Sequence, residues 1–100
     1  MNELDKITQN IIIKILCAMY LKENNNKFYM SSFIESYFNY KYEEAIILLW
    51  FIEKLGYIEH GISLRCPYII NNGIEIVKNN SIILDYINEW INKNHDKINF

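Results

Sequence analysis

The stretch KYEEAIILLWFIEKLGYIEHGISLRCPYIINNGIEIV, residues 41–77, carries the strongest structural signals in this 100-residue chain. It opens with an apolar helical pattern. Gly56 follows where a helix commonly ends, because glycine adopts the left-handed backbone conformation there at no steric cost. Residues 57–60 and 68–70 then read as the two strands of an antiparallel hairpin with its tip at residues 61–67. The stretch therefore predicts a helix followed by a hairpin.

Two further helices are predicted before this stretch. Apolar residues at helical spacing predict a first helix over residues 3–21, and the polar segment 22–27 is typical of a loop. Ser32 and Glu35 have the spacing of a capping box. In this motif the Ser side chain accepts a hydrogen bond from the backbone N–H of the Glu, and the Glu side chain accepts one from the backbone N–H of the Ser. This predicts a short second helix that ends near Phe38.

The remaining helices are predicted from asparagine caps and apolar spacing. Asn39 can cap a third helix over residues 40–55, and Asn71 or Asn72 can cap a last helix over residues 73–92. The polar tail after the last helix is expected to fray. The apolar stripe of the last helix is Ile74, Val77, Leu84, Ile87 and Ile91.

Size and composition indicate one ordered domain over residues 1–100, mainly α with a small β-hairpin, in the order helix-helix-helix-hairpin-helix. The chain is 51% hydrophobic and 22% charged, as in globular proteins. Its formal net charge of -2 and its pI near 5.6 exclude a basic surface overall. Any contact with nucleic acid must therefore come from a local patch.

No targeting segment or membrane span is predicted. Glu3 and Asp5 stand where the basic region of a signal peptide belongs, and no apolar run approaches the roughly 20 residues of a membrane-spanning helix. Cys17 and Cys66 form no CxxC pair, and the apolar neighbours of Cys17 favour a buried thiol. We expect a cytoplasmic protein without membrane association.

The sequence offers little for catalysis or metal binding. His60 and Cys66 could approach each other across the hairpin, but a closed zinc site needs four ligands at compatible spacing, and no such set is visible. There is no glycine-rich phosphate loop and no motif of a serine hydrolase or zinc protease. We expect no enzymatic activity, no metal and no cofactor.

Two segments carry a resemblance to the winged-helix DNA-binding family. They are FIEKLGYIE, residues 51–59, and YIINNGI, residues 68–74. Asn71 stands where many small bacterial winged-helix regulators have a threonine. The resemblance implies a winged helix-turn-helix made of the second and third helices, with the hairpin as its wing. It also implies sequence-specific binding of double-stranded DNA.

A narrower resemblance comes from residue usage and from the apolar third helix. Frequent Ile, Asn, Lys and Tyr is the usage that AT-rich codons produce, which points to a low-GC bacterium, its plasmids or its phages. The chain is similar to the TcpK-like relaxosome accessory proteins of clostridial conjugative plasmids. This implies a factor that marks a transfer origin through its wing, with a relaxase or another DNA-processing protein as partner. The alternatives are a winged-helix transcriptional repressor and a winged-helix protein-protein interaction module that does not bind DNA.

The third helix is poorly suited to reading bases. Its first turn carries Glu43 and Glu44 against Lys41, and carboxylates repel the phosphates that dominate DNA affinity. Three of its apolar residues share a face that should pack into the core: Ala45, Leu49 and Ile52. A helix that is apolar all round needs a second buried side, which favours a homodimer, although the first and last helices could also cover it. The predicted dimer contacts, two of them from the last helix, are Ile47, Leu48, Trp50, Phe51, Ile83 and Trp90.

The hairpin tip is the better candidate for DNA contact, since it carries the chain's one arginine and no acidic residue after Glu59. An arginine on a narrow hairpin can enter a narrow minor groove. The predicted wing contacts are His60, Gly61, Ile62, Ser63, Leu64 and Arg65. Secondary phosphate contacts are predicted around the starts of the second and third helices, at Lys27, Tyr29, Ser31 and Lys41. The alternatives are an exposed hairpin whose arginine serves solubility, and serines that only cap the second helix.

Overall fold

The computed structural model describes residues 3–24, 28–63 and 66–98. Helices and a two-stranded antiparallel hairpin follow one another in the predicted order, so the prediction of a mainly helical domain with a small hairpin is confirmed. The strands pair Ile58 with Ile69, Glu59 with Tyr68 and His60 with Pro67. In chain order the elements are α1 Lys6–Asn24, α2 Met30–Phe38, α3 Tyr42–Lys54, β1 Ile58–His60, β2 Pro67–Ile69, α4 Asn71–Lys78, α5 Ser81–Lys93 and α6 His95–Ile98.

A single cluster of buried side chains joins these elements, and α1 lies at its centre, in contact with α2, α4, α5 and β2. Each of the eight elements contributes at least one residue to the cluster, which is why even the short strands and α6 are held in place. Their most buried representatives are Ile12, Phe33, Leu49, Ile58, Ile69, Val77, Ile87 and Ile98.

The start of α1 is set by a polar cap. The backbone N–H of Thr8 donates to Oδ1 of Asp5 at 2.8 Å, and this hydrogen bond lowers the pKa of the Asp5 carboxyl. The helix therefore begins at Lys6 rather than at Glu3. Ile7, which fits the apolar spacing of the predicted helix, is exposed because it lies on the outward side of the first turn.

The turn between α2 and α3 differs from the prediction. The helix α2 begins at Met30, so Ser32 lies within its first turn and the capping box predicted for Ser32 and Glu35 is wrong. Asn39 does not cap α3 either. It ends α2 in the left-handed conformation with φ of 60°, which asparagine tolerates better than most residues. The cap of α3 is at Lys41, whose N–H donates to Oε1 of Glu44 at 2.7 Å.

At its other end α3 follows the prediction closely. The helix ends at Lys54, one residue before the predicted boundary, and Gly56 has a φ of 87°. The left-handed glycine reverses the chain and sends it into β1.

The predicted last helix is divided in two. The extended backbone of Ile70 precedes α4, with no side chain capping it, so the cap predicted at Asn71 or Asn72 is wrong. The break lies at Asn80, which leaves helical geometry and donates its side-chain amide to the carbonyl of Ile76 at 2.7 Å. The tail predicted to fray instead forms α6, and Ile98 is fully buried in the core.

No helix within residues 3–24, 28–63 and 66–98 is long and apolar enough to cross a bilayer.

Candidate nucleic-acid interface and the outer side of the third helix

The base of the hairpin is held from several sides. The N–H of Ile69 donates to Oε2 of Glu23 in α1 at 2.9 Å, and the N–H of Ile70 donates to the carbonyl of Tyr57 at 3.1 Å. Gly73 in α4 lies so close that a Cβ there would be 2.5 Å from the Tyr57 carbonyl oxygen. Only glycine fits this contact, so the direction of the hairpin relative to α1 and α4 is fixed.

A side-chain contact joins the hairpin to α3. Nδ1 of His60, at the end of β1, meets a carboxylate oxygen of Glu53 in the last turn of α3, and both side chains are partly buried. The sequence predicts a DNA contact for His60 but shows no sign of this partner, because the pairing depends on how the chain reverses at Gly56. The structure thus gives His60 a position at the junction of hairpin and helix.

The described residues on either side of the tip are exposed to solvent. Gly61, Ile62 and Ser63 are exposed, and the N–H of Cys66 donates to the carbonyl of Ser63 at 3.1 Å. Leu64 and Arg65, two of the predicted wing contacts, lie outside the described residues.

The one carboxylate on the strands of the hairpin has a local partner. The hydroxyl of Tyr68 donates to Oε1 of Glu59 across the strands at 3.1 Å, and this bond raises the pKa of Tyr68. No acidic residue follows Glu59 until Glu75 in α4. The tip beyond this pair is therefore without negative side chains.

Two of the residues predicted to contact phosphates near α2 are wholly or partly buried. Ser31 is only 3% exposed and packs in the core, so its hydroxyl cannot reach a DNA phosphate and that prediction is wrong. Tyr29 is half-buried, and Lys27 lies outside the described residues. Lys41 is exposed at the start of α3 and is available for such a contact.

The inward side of α3 is as predicted. Ala45, Leu49 and Ile52 are fully buried, and they are the three residues that the helical spacing places toward the core. Glu44 accepts the hydrogen bond from the Lys41 N–H at the start of the helix, whereas Glu43 is exposed in the first turn. Glu44 therefore has a structural role, since its carboxylate caps the start of α3.

The outward side of α3 exposes large apolar side chains. Ile47 is 64% exposed, Trp50 55% and Phe51 40%, while Leu48 is half-buried. Nζ of Lys54 lies 5.5 Å from the centre of the Trp50 ring, a cation-π contact. A groove of about 410 Å³ runs along this side between α1 and α3, lined by Thr8, Ile11, Tyr40, Glu44, Ile47, Leu48 and Phe51.

The two dimer contacts predicted on the last helix, now α5, have other neighbours. The Trp90 ring packs 5.5 Å from that of Phe33 and 5.1 Å from that of Tyr37, so it belongs to an aromatic cluster within the chain. Ile83 is half-buried against the core. These two residues therefore stabilise the domain, and the exposed apolar residues of the predicted interface are those of α3.

Cysteine and metal chemistry find little support in the described part of the chain. Burial raises the pKa of Cys17 to about 12, so its thiol stays protonated and unreactive, as expected of a core residue. Among the described residues, no three or more His, Cys, Asp or Glu side chains are grouped to hold a metal ion.

Comparison with protein-family models, with curated proteins and with solved structures finds no match to this chain. The winged-helix resemblance therefore depends on the residues quoted for it and on the order of helices and hairpin. It stays a prediction about function.

Proposed function

We propose that this protein is a winged-helix protein that binds double-stranded DNA as a homodimer, with the hairpin as the wing that contacts DNA. The observation that carries the proposal is the contrast between the wing and the first turn of α3. The wing has a fixed base, its residues Gly61, Ile62 and Ser63 are exposed, and the sequence of its tip has no carboxylate. The first turn of α3, which enters the major groove in ordinary helix-turn-helix docking, is acidic.

The charges of α3 disfavour base reading. Glu43 is exposed and would face the phosphate backbone, and Glu44 is held by the N–H of Lys41. Lys41 is the one basic residue at this end of the helix. Because neutralisation of phosphates supplies much of the free energy of DNA binding, this surface would bind weakly at best.

The sequence of the tip supplies groups of the kinds that contact a groove. Arg65 can enter a narrow minor groove, Ser63 can donate to a phosphate, and Ile62 can contact sugars or wedge a base step. A homodimer would present two such tips, and paired contacts to two half-sites raise affinity and specificity together.

Within this function, the role we favour is an accessory factor that marks plasmid or phage DNA, such as a conjugative transfer origin, and works with a relaxase. A transcriptional repressor would use the same dimer and the same wing. The position of the gene, beside a relaxase or beside a promoter that it silences, distinguishes the two roles.

A second function is favoured by a different observation. The outward side of α3 is apolar and the chain as a whole is acidic, as in a winged-helix interaction module that binds a protein and no DNA. Salt separates the two, since DNA binding weakens steeply with rising salt and an apolar interface barely responds.

The test is selection of bound duplexes from fragmented source DNA at two salt concentrations, with wild type, Arg65→Ala and Lys41→Ala in parallel. We expect wild type to recover a discrete, salt-sensitive site, and Arg65→Ala to lose affinity for it by roughly tenfold or more. Lys97→Ala, on the exposed surface of α6, is the matched control for loss of one positive charge. Loss of binding in Lys41→Ala with Arg65→Ala unaffected would assign recognition to α3 instead.

A further inference from the structure

Four exposed residues on the outward side of α3 form a stripe with a symmetric pattern. Glu43, Ile47, Trp50 and Lys54 follow one another at intervals of four, three and four residues, which places them on one face of an α-helix. This outer stripe lies opposite the buried face of the helix. Along it, an acidic residue is followed by two large apolar residues and then by a basic residue.

The stripe is complementary to itself under a two-fold rotation. An axis perpendicular to the helix, midway between Ile47 and Trp50, exchanges these two residues and also exchanges Glu43 with Lys54. Two antiparallel copies of α3 would therefore place Glu43 against Lys54 of the partner subunit at both ends, with apolar contacts between. A parallel pair would instead place Glu43 beside Glu43 of the partner subunit, which is repulsive.

We infer that α3 pairs with α3 of a second copy of this chain in this antiparallel register, with Glu43 against Lys54 of the partner subunit. The inference rests on the homodimer of the proposed function and specifies its geometry. Closed two-fold contacts of this kind are the commonest in homo-oligomers.

A groove lies beside the stripe, on the side of Phe51. On the α3 side it is lined by Glu44, Ile47, Leu48 and Phe51, and Ile47 is also the residue that the rotation places opposite Trp50 of the partner subunit. The groove therefore widens the apolar surface next to the contact between Ile47 and the partner subunit's Trp50. Large aromatic side chains in such contacts carry much of the binding energy in protein interfaces.

The other carboxylates of α3 do not oppose this register strongly. The rotation brings Glu44 level with Glu53 of the partner subunit, but at about 100° per residue the two lie on opposite sides of the helix-helix contact. Each also has a partner within its own chain. Glu44 accepts from the N–H of Lys41, and Glu53 meets His60. Ile46, which is half-buried, and Phe51 flank the stripe on its two opposite sides and extend its apolar surface.

A charge-swap experiment tests the register. The dissociation constant of the dimer is measured by sedimentation equilibrium for wild type, Glu43→Lys, Lys54→Glu and the double variant Glu43→Lys/Lys54→Glu. Each single variant creates two like-charge pairs and should weaken the dimer by about tenfold, and the double variant should return to within about threefold of wild type. Glu75→Lys, an exposed charge reversal on α4, is the control and should leave the dimer unchanged.

A fluorescence measurement checks that the dimer is formed through α3. Trp90→Phe keeps an aromatic ring in the internal cluster and leaves Trp50 as the reporter. Quenching of Trp50 by acrylamide should fall as protein concentration rises through the dissociation constant. A wild-type protein that stays monomeric, or a double variant no better than the single ones, would overturn the register.

These results separate the two proposals. Rescue by the charge swap with no DNA site recovered would retain the antiparallel dimer and refute DNA binding. Recovery of a DNA site without rescue would retain DNA binding and refute the register.

Discussion

The two sides of α3 have similar residues and opposite surroundings. Leu49 on the inward side is fully buried, whereas Ile47, two positions earlier, is 64% exposed. Both are large aliphatic side chains, so hydrophobicity alone does not distinguish them. The difference comes from the turn of the helix and shows that the apolar content of α3 exceeds what one core requires. The excess apolar side chains, Ile47, Trp50 and Phe51, lie on the exposed side of the helix.

The largest expected effect is on the inward side. Leu49→Ala removes a buried side chain and leaves a cavity, and should lower the free energy of unfolding by about 2–5 kcal/mol. Ile47→Ala, measured at concentrations where the protein is monomeric, should change it by no more than about 0.5 kcal/mol. Urea denaturation followed by circular dichroism measures both. Equal losses in the two variants would contradict the assignment of the faces.

A smaller effect distinguishes two adjacent carboxylates. Glu44→Ala removes the acceptor for the N–H of Lys41 and should destabilise the domain by about 0.3–1.5 kcal/mol. Glu43→Ala leaves this cap intact, and its cost should be a few tenths of a kcal/mol, about that of a weak interaction with the helix dipole. The same denaturation experiment, again on monomeric protein, compares them. If Glu43→Ala proved the more harmful, Glu43 would have a structural role rather than a surface one.

The smallest expected effect is on reactivity rather than stability, and extends the comparison to the two cysteines. Burial raises the pKa of Cys17 from 9.0 to about 12, so Cys17 should not react with a thiol reagent at pH 8 in the folded protein. Cys66 is exposed at the wing and should react quickly. A chromogenic disulfide reagent should label one thiol per native chain and two after denaturation, with Cys66→Ser as the control.

The same shift has a consequence at high pH. The protonated thiol is the form that the folded state favours, so its contribution to stability is complete below the unfolded pKa and is lost as pH rises toward about 12. In the labelling experiment at pH 8, rapid reaction of both thiols in the native protein would show that Cys17 is not in the core.

Periodicity and glycine placement predicted the parts of the fold that depend on neighbouring residues. The core face of α3 follows from helical spacing alone, and Gly56 marks a turn that needs a left-handed residue. Cap positions were harder to predict, because Asn39 can either begin the next helix or end the previous one. It ends α2, since the chain between α2 and α3 needs a left-handed residue there.

The break between α4 and α5 was missed for a different reason. The apolar stripe continues on both sides of it, with Val77 and Ile87 both buried, so the spacing resembles that of one helix. The adjacent residues Asn79, Asn80 and Ser81 are the local signal, since their side chains compete with helical hydrogen bonds. The contacts that fix the wing, from Glu23 and Glu53, join residues distant in sequence or across the turn, and no periodicity reveals them.

The hydrogen bond from the Ile69 N–H to Glu23 also bears on the order of folding. It joins residues 46 positions apart, and closing so long a segment costs chain entropy before the contact can form. Strands of three residues have little stability by themselves. The hairpin should therefore order only after α1 has docked, and it should be among the first regions to open under native conditions. In hydrogen exchange, the Ile69 amide should lose its protection ahead of the Leu49 amide in α3. During folding, the hairpin should reach its final position only once α1 has packed against it.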